Sequence, residues 1–356
     1  MAKLAKKPSE EKIPLQDFNV ALIGMQAPTA LLAEAQAANR LHSAYLFTGR
    51  EGTGKRLLAL QFAASLLAPK PTEVDMFGEI PASDGLQIDW EAPELTQMKT
   101  HSNPDFIYVQ PNYDAAKKRF KDIIQKEHIE EVLHFTHLKA TNHWKIIIID
   151  PAEAMNPNAA NSLLKCLEEP PPHTIFILIS HNPAKLLPTI RSRCLSINFP
   201  ALSFNHFTEI LHQQNITENH ELLFHLTSGS VGLAINLSQL DFVTYWQKLL
   251  ELLSTPTSSR NQSIFSLAEK INKDSDFSLQ YWQMLCELAM FSIIKFQATG
   301  ACAHQLIPTQ LLQQLTQSKS PQAYLDALNA NAQLIHDAIN LYLDKKQVII
   351  KSLSYF

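Results

Sequence analysis

Three places in this chain have residue types and spacing that could handle a phosphate. Gly49-Arg-Glu-Gly-Thr-Gly-Lys55 fits the pattern GxxxxGK. Glycines at Gly49, Gly52 and Gly54 let backbone N–H groups curl around a phosphate chain, and Lys55 can reach its terminal groups. A working loop of this kind continues with Ser or Thr, whose hydroxyl holds Mg²⁺. Arg56 stands there instead, and a guanidinium, which only donates, cannot ligate a cation. The apolar run Ile146-Ile-Ile-Ile149 ends at Asp150, an acid placed to hold Mg²⁺ from a second side. A glutamate that polarises an attacking water would follow it, but the next residue is Pro151. Glu153, two positions on, either substitutes as that base or sits on a solvated face, and Asp150 either belongs to a nucleotide site or caps its own loop. Finally, Arg193 in Ile190-Arg-Ser-Arg-Cys194 carries a planar, permanently charged fork suited to phosphate oxygens. Its plain alternative is an ion pair with a carboxylate of its own domain, the reading that also suits Arg191.

The elements that must position these residues alternate short apolar runs with helical periods, which predicts a parallel sheet with crossover helices. Ala44–Thr48 reads as a strand stopping at the glycine loop, and Arg56–Leu67 as the helix after it. Ile146–Asp150 is a second buried strand. Asn158–Leu167 is a helix halted before Pro170-Pro171-Pro172. Thr174–Ser180 and Leu195–Phe199 are further strands. Residues 69–104 read as an irregular insert containing five prolines. After Pro200 the pattern becomes helical, punctuated by Gly229 and Gly232, and beyond Asp241 leucine-rich helical periods run on with Gly300 the one remaining glycine. The expected layout is an α/β nucleotide-type domain over 1–200, a small helical lid over 201–241 and an all-helical domain over 242–356.

Composition narrows the function. With 46% hydrophobic residues and 9 glycines the chain can build ordinary cores. A net charge of −4 supplies no general field for nucleic acid, so partners would have to provide much of any grip on DNA. No run of about 18 apolar residues marks a membrane span, and Met1–Lys12 is polar and lysine-rich, unlike a secretory signal. Cys166, Cys194, Cys286 and Cys302 show no CxxC spacing, which predicts neither disulfides nor a zinc site and suits a cytoplasmic protein. Cys166 and Cys194 read as packed small side chains, and the fourteen histidines as surface or capping residues. The basic run Lys117-Lys-Arg-Phe-Lys121 reads as a solvated loop, with contact to a phosphate backbone as its alternative. Tyr245, Trp246, Tyr281 and Trp282 read as helical core positions, with a binding surface as the alternative.

Several of these segments together resemble a known family. Arg40-Leu-His-Ser-Ala-Tyr-Leu-Phe-Thr-Gly49 resembles the entry to the phosphate loop in bacterial clamp-loader subunits, and Ala160-Asn-Ser-Leu-Leu-Lys-Cys-Leu-Glu-Glu-Pro-Pro171 resembles their ALLKxLEEPP helix. Asn103-Pro-Asp-Phe106 is similar to the HPDF-type opening of a strand, and Ser192-Arg-Cys194 is the family's Ser-Arg-Cys signature. The resemblance runs from about residue 20 to 200, with a weaker helical likeness beyond. It implies an AAA+ module with a helical lid and a helical collar.

Within the family, three degraded positions align this chain with the delta-prime branch. They are Lys55-Arg56, Asp150-Pro151 and Gly229-Ser230-Val231-Gly232, the last lacking the sensor arginine of GSxR. The resemblance then implies no required cofactor, at most weak ATP or ADP binding, and no ATPase or polymerase activity of the chain itself. It implies gamma or tau ATPase subunits and delta as partners, with sliding clamp and primed DNA reached through the complex, and Arg193 as an arginine finger supplied in trans. A divergent, active gamma- or tau-like ATPase using Glu153 is the alternative. In one respect the sequence departs from the family, whose members carry a four-cysteine zinc module after the loop helix. The 69–104 insert has no cysteine and only His101, so no zinc is expected.

Overall fold

The computed structural model describes residues 14–15, 17–69, 85–114, 119–120, 123–141, 143–256, 260–301 and 306–356. Residues 70–84 of the insert, the side chains of the basic run 117–121 and Cys302 lie outside this description. The chain divides into two compact units, Met1–Ala201 and Leu202–Phe356.

In the first unit, strands β1 (Ala44–Thr48), β2 (Phe106–Val109), β3 (Lys145–Ile149), β4 (Thr174–Ser180) and β5 (Leu195–Asn198) form one parallel sheet in the order β2-β3-β4-β1-β5. The strands of the middle of this sheet are buried along their whole length, as a parallel sheet covered on both faces requires. Alternation assigns the faces. Tyr45, Phe47, Ile146, Ile148, Ile175 and Ile177 join one apolar cluster with helices α1 (Gln26–Ala37), α2 (Lys55–Leu67) and α3 (Pro93–Lys99). Ala44, Leu46, Ile147, Ile149, Phe176 and Leu178 join a second cluster with α4 (Lys126–His137), α5 (Pro157–Glu168) and the single turn α6 (Pro188–Arg191). The result is a three-layer α/β architecture, a parallel sheet with helices on both faces.

Local chemistry sets the element ends. The Asn156 side chain caps α5 by accepting from the Ala159 N–H at 2.8 Å, and Pro157 occupies the first turn where its missing N–H matters least. Asn103 Oδ1 accepts from the Asp105 N–H, and the Asp105 carboxylate accepts from the Thr141 N–H, so the Asn-Pro-Asp-Phe stretch ties the start of β2 to the loop before β3. The insert is less irregular than expected. Its described end forms α3, with Pro93 in the first turn and Leu95 and Met98 buried beneath it.

The second unit is all helical. Helices α7 (Phe204–Gln213), α8 (His220–Thr227) and α9 (Val231–Ser238) share one apolar cluster with α10 (Phe242–Ser254), α11 (Arg260–Lys273), α12 (Leu279–Thr299), α13 (Thr309–Ser318), α14 (Pro321–Leu341) and α15 (Lys345–Leu353). Tyr245, Trp246 and Trp282 are buried, and Tyr281 packs at the edge of the cluster. Trp282 Nε1 donates to Ser352 Oγ at 3.1 Å, which donates to Asn331 Oδ1 at 2.6 Å, fixing α12, α14 and α15 in register. No helix of the described residues is long and apolar enough to cross a membrane.

Candidate functional site

The phosphate loop lies between the end of β1 and the start of α2, at the carboxyl edge of the sheet where α/β proteins place their ligands. Gly49, Gly52 and Gly54 all take positive φ (146°, 72° and 85°), which bends the loop in a way side-chain-bearing residues resist. A Cβ on Gly49 would come within 2.4 Å of the Phe199 carbonyl oxygen, so the loop is pressed against the chain leaving β5. Met25 lies just as close over Gly54, with its Cε 2.2 Å from where a Cβ would be.

Lys55 is 2% exposed, and its Nζ donates to the carbonyls of Gly49 (2.7 Å) and Arg50 (2.5 Å), within its own loop. Burial pulls this ammonium down to about 8, against the opposing pull of Asp150, Glu153 and Glu51. Arg56 turns to the acid that ends β3. Its Nε donates to Asp150 Oδ2 at 2.6 Å while the outer side chain stays half exposed. Tyr108 of β2 donates its hydroxyl to the same oxygen at 2.6 Å, and the guanidinium stands 5.8 Å over the tyrosine ring. Burial, and then the neighbouring Asp150 charge, push the Tyr108 phenol well above its ordinary range, so it stays a donor.

Two plain readings of the sequence change here. Asp150 does not cap its loop: it is buried between an arginine and a tyrosine. Glu153 does not lie on a solvated face. Its Oε1 accepts from the His181 N–H (2.8 Å) and the Asn182 N–H (3.0 Å) just past β4. Asp150 Oδ1, Glu153 Oε2, Ser180 Oγ and His181 Nδ1 are buried and have no partner among the described residues. All four sit at the carboxyl ends of β3 and β4, beside the loop.

A magnesium nucleotide, which such a loop implies, does not fit this donor set. The hydroxyl ligand is replaced by a cation, and that cation already holds one carboxylate oxygen of Asp150, Oδ2, leaving only Oδ1 beside a fixed positive charge. Among the described residues no group of three His, Cys, Asp or Glu side chains could hold a metal. In the second unit, Gly229-Ser230-Val231-Gly232 offers no arginine; Ser230 serves as the cap of α9, accepting from the Leu233 N–H.

Arg193 is at the other end of the sheet. It precedes β5, whose Leu195 pairs with Tyr45 near the start of β1, whereas the phosphate loop follows the end of β1. Tyr45 to Gly49 is a span of about 13 Å at ~3.3 Å per residue. Arg193 therefore does not join the other candidate residues. Its Nη2 pairs with Glu168 Oε1 at 2.7 Å and its Nη1 donates to the Thr189 carbonyl at 2.9 Å, with the side chain one-third exposed. Glu168 ends α5, where the helix dipole disfavours a carboxylate and favours the arginine that meets it. Arg191, two residues earlier, is exposed.

Sequence reasoning missed Tyr108, Glu168 and Met25 as partners. A tyrosine inside the apolar run Phe106-Ile-Tyr-Val109 was the one available hint, since a buried phenol needs an acceptor.

A family profile described as DNA polymerase III, delta subunit, matches residues 25–203, half of the chain. The chain is 40% identical over 153 residues to the DNA polymerase III subunit delta' of Pseudomonas aeruginosa, covering 43% of this chain and 41% of that one. To the DNA polymerase III subunit delta' of Bacillus subtilis it is 30% identical over 241 residues, 67% of each chain. The chain belongs to this family, in its delta-prime branch. A further relative, DNA polymerase III subunit tau/gamma of Haemophilus influenzae, is 29% identical over 215 residues, covering 59% of this chain and 28% of that one. The match thus spans well under half of the Pseudomonas relative, and every motif quoted above from Met25 to Leu202 falls inside the family profile.

Proposed function

We propose that this chain is a catalytically silent clamp-loader subunit that completes a neighbour's ATP site with Arg193. It assembles with gamma or tau ATPase subunits and delta, and holds the ring's geometry as a stator while the complex opens a sliding clamp and closes it on primed DNA. It requires no cofactor of its own. The observation that carries this reading is the position of Arg193, which precedes β5 at the end of the sheet opposite the chain's own phosphate loop, with the length of β1 from Tyr45 to Gly49, ~13 Å, between those ends. If Arg193 acts on a phosphate, that phosphate belongs to another molecule, and a guanidinium delivered in trans can stabilise charge on a transferring phosphoryl group.

The alternative of an active ATPase asks Glu153 to orient water. Its Oε1 is committed to two backbone N–H groups, which fixes the carboxylate and leaves only the buried Oε2, and Arg56 occupies Asp150 Oδ2. Both features weigh against turnover. The test is the DNA- and clamp-stimulated ATPase of a reconstituted loader carrying Arg193→Ala. A clear fall with assembly intact supports the reading. An unchanged rate reduces the subunit to a scaffold, and hydrolysis by the isolated chain that Lys55→Ala abolishes would favour the alternative.

A further inference from the structure

We infer that Arg56 is a resident replacement for the divalent cation of this loop, so that the site is indifferent to metal. Three observations carry the inference, and none involves Arg193 or the reading built on it. First, Arg56 occupies the sequence position of the missing hydroxyl ligand, directly after Lys55. Second, its Nε meets Asp150, the other residue placed to hold the cation, at 2.6 Å. Third, Tyr108 donates to the same Asp150 oxygen at 2.6 Å, so Oδ2 faces two donors; the other oxygen, Oδ1, is buried beside the same guanidinium charge and has no partner among the described residues. Asp150 is 1% exposed, and a carboxylate so buried needs a compensating charge. In a metal-dependent loop the cation supplies it; here a covalently attached guanidinium does.

The charge is the same in sign but differs in consequence. A bound cation comes and goes with nucleotide, bridging phosphate oxygens to protein. Arg56 cannot leave. Its half-exposed outer end keeps N–H donors that could face a phosphate directly, whereas a second, divalent cation beside it would meet like-charge repulsion and no free ligand on Asp150 Oδ2.

The test is calorimetric titration of the full-length chain with ADP, in EDTA and in excess Mg²⁺. For the wild type the two titrations should coincide. For Arg56→Thr, which restores the hydroxyl and frees Asp150, Mg²⁺ should strengthen ADP binding at least about tenfold. Arg56→Lys, which keeps the charge, should remain indifferent. Should Arg56→Thr not fold, Mn²⁺ binding to wild type in the presence of ADP, followed by electron paramagnetic resonance, still decides: no bound Mn²⁺ supports the inference. Bound Mn²⁺, wild-type affinity that rises with Mg²⁺, or a folded Arg56→Thr protein that stays indifferent to Mg²⁺ would overturn it.

Discussion

Replacing Glu168 with Gln should release Arg193 without damaging it, and the size of the effect follows from the geometry. The Arg193–Glu168 pair is 2.7 Å long with side chains 33% and 47% exposed. Pairs so open to solvent contribute roughly 0.2–1 kcal/mol. The hydrogen bond from Arg193 to the Thr189 carbonyl does not depend on Glu168 and survives the change. Stability should therefore fall by less than about 1 kcal/mol, a melting shift of only about 2–4 °C for a domain near 200 residues. On the proposed reading, the guanidinium freed of that partner has up to about 1 kcal/mol less to give up before it meets a neighbour's phosphate, a factor of up to about 5. In a reconstituted loader, stimulated ATPase with Glu168→Gln should equal the wild type or exceed it by up to that factor, while Arg193→Ala falls. Raising salt should narrow the gap between wild type and Glu168→Gln, because screening already loosens an exposed pair. A loss in Glu168→Gln as deep as that in Arg193→Ala, at every ionic strength, would refute the reasoning. It would make the pair a strut rather than a resting place.

Lys55 makes a pH prediction. Burial lowers its folded pKa from 10.5 to about 8, so between those values the unfolded chain binds more protons and stability should rise with pH, no more steeply than about 1.4 kcal/mol per pH unit. Half-buried Cys194, raised to about 12 by desolvation, acts oppositely above pH 9, so the difference in urea midpoint between wild type and Lys55→Met is the quantity to follow. It should move in favour of the wild type from pH 8 to 10, and a flat difference contradicts the burial argument. The loop glycines predict an order. Gly49→Ala and Gly54→Ala both place a side chain at positive φ, a strain of about 1–2 kcal/mol, but only Gly49→Ala drives a Cβ against backbone, at Phe199 O, where Gly54→Ala meets the movable tip of Met25. Gly49→Ala should melt lower, and the reverse order would mean that Met25 is the rigid neighbour.

The frame of the first unit was legible because its signals are local. Buried strands announce themselves as apolar runs such as Ile146–Ile149, and a strand followed by GxxxxGK and a helical period admits few other folds. Thr174–Ser180 and Ala44–Thr48 coincide with their expected limits, and the other four elements given limits in that unit differ by a residue at one end or at both. What the chemistry of the site depends on was not legible, because it is long-range. Tyr108 is 42 residues from Asp150, and Arg56 is 94. That Arg56 could not hold a metal follows from its type; that it would turn toward Asp150 needed the sheet order, which sets β2 and β3 side by side near the loop. Glu153 was misread because its acceptors' partners are backbone N–H groups after β4, which no side-chain pattern reveals. The helical stretch 201–241 was expected as a lid by itself, and its Phe207, Leu211 and Leu223 share a cluster with Trp246 and Trp282. Helical periodicity gives the buried stripe of each helix but not the partner that covers it.

The placement of the phosphate loop and Arg193 at opposite ends of one parallel sheet has a consequence for symmetry. On the proposed reading, the donor surface of one chain must meet a different surface on its neighbour, the end that bears a phosphate loop. Such a contact is heterologous: no two-fold axis can relate its halves, and repetition leads to a closed ring or an open helical arc. Each member then has a giving end and a receiving end. In this chain the end with the loop holds its own cation, Arg56 on Asp150, so on the proposed reading the series of working sites has a direction and this subunit stands at one end of it.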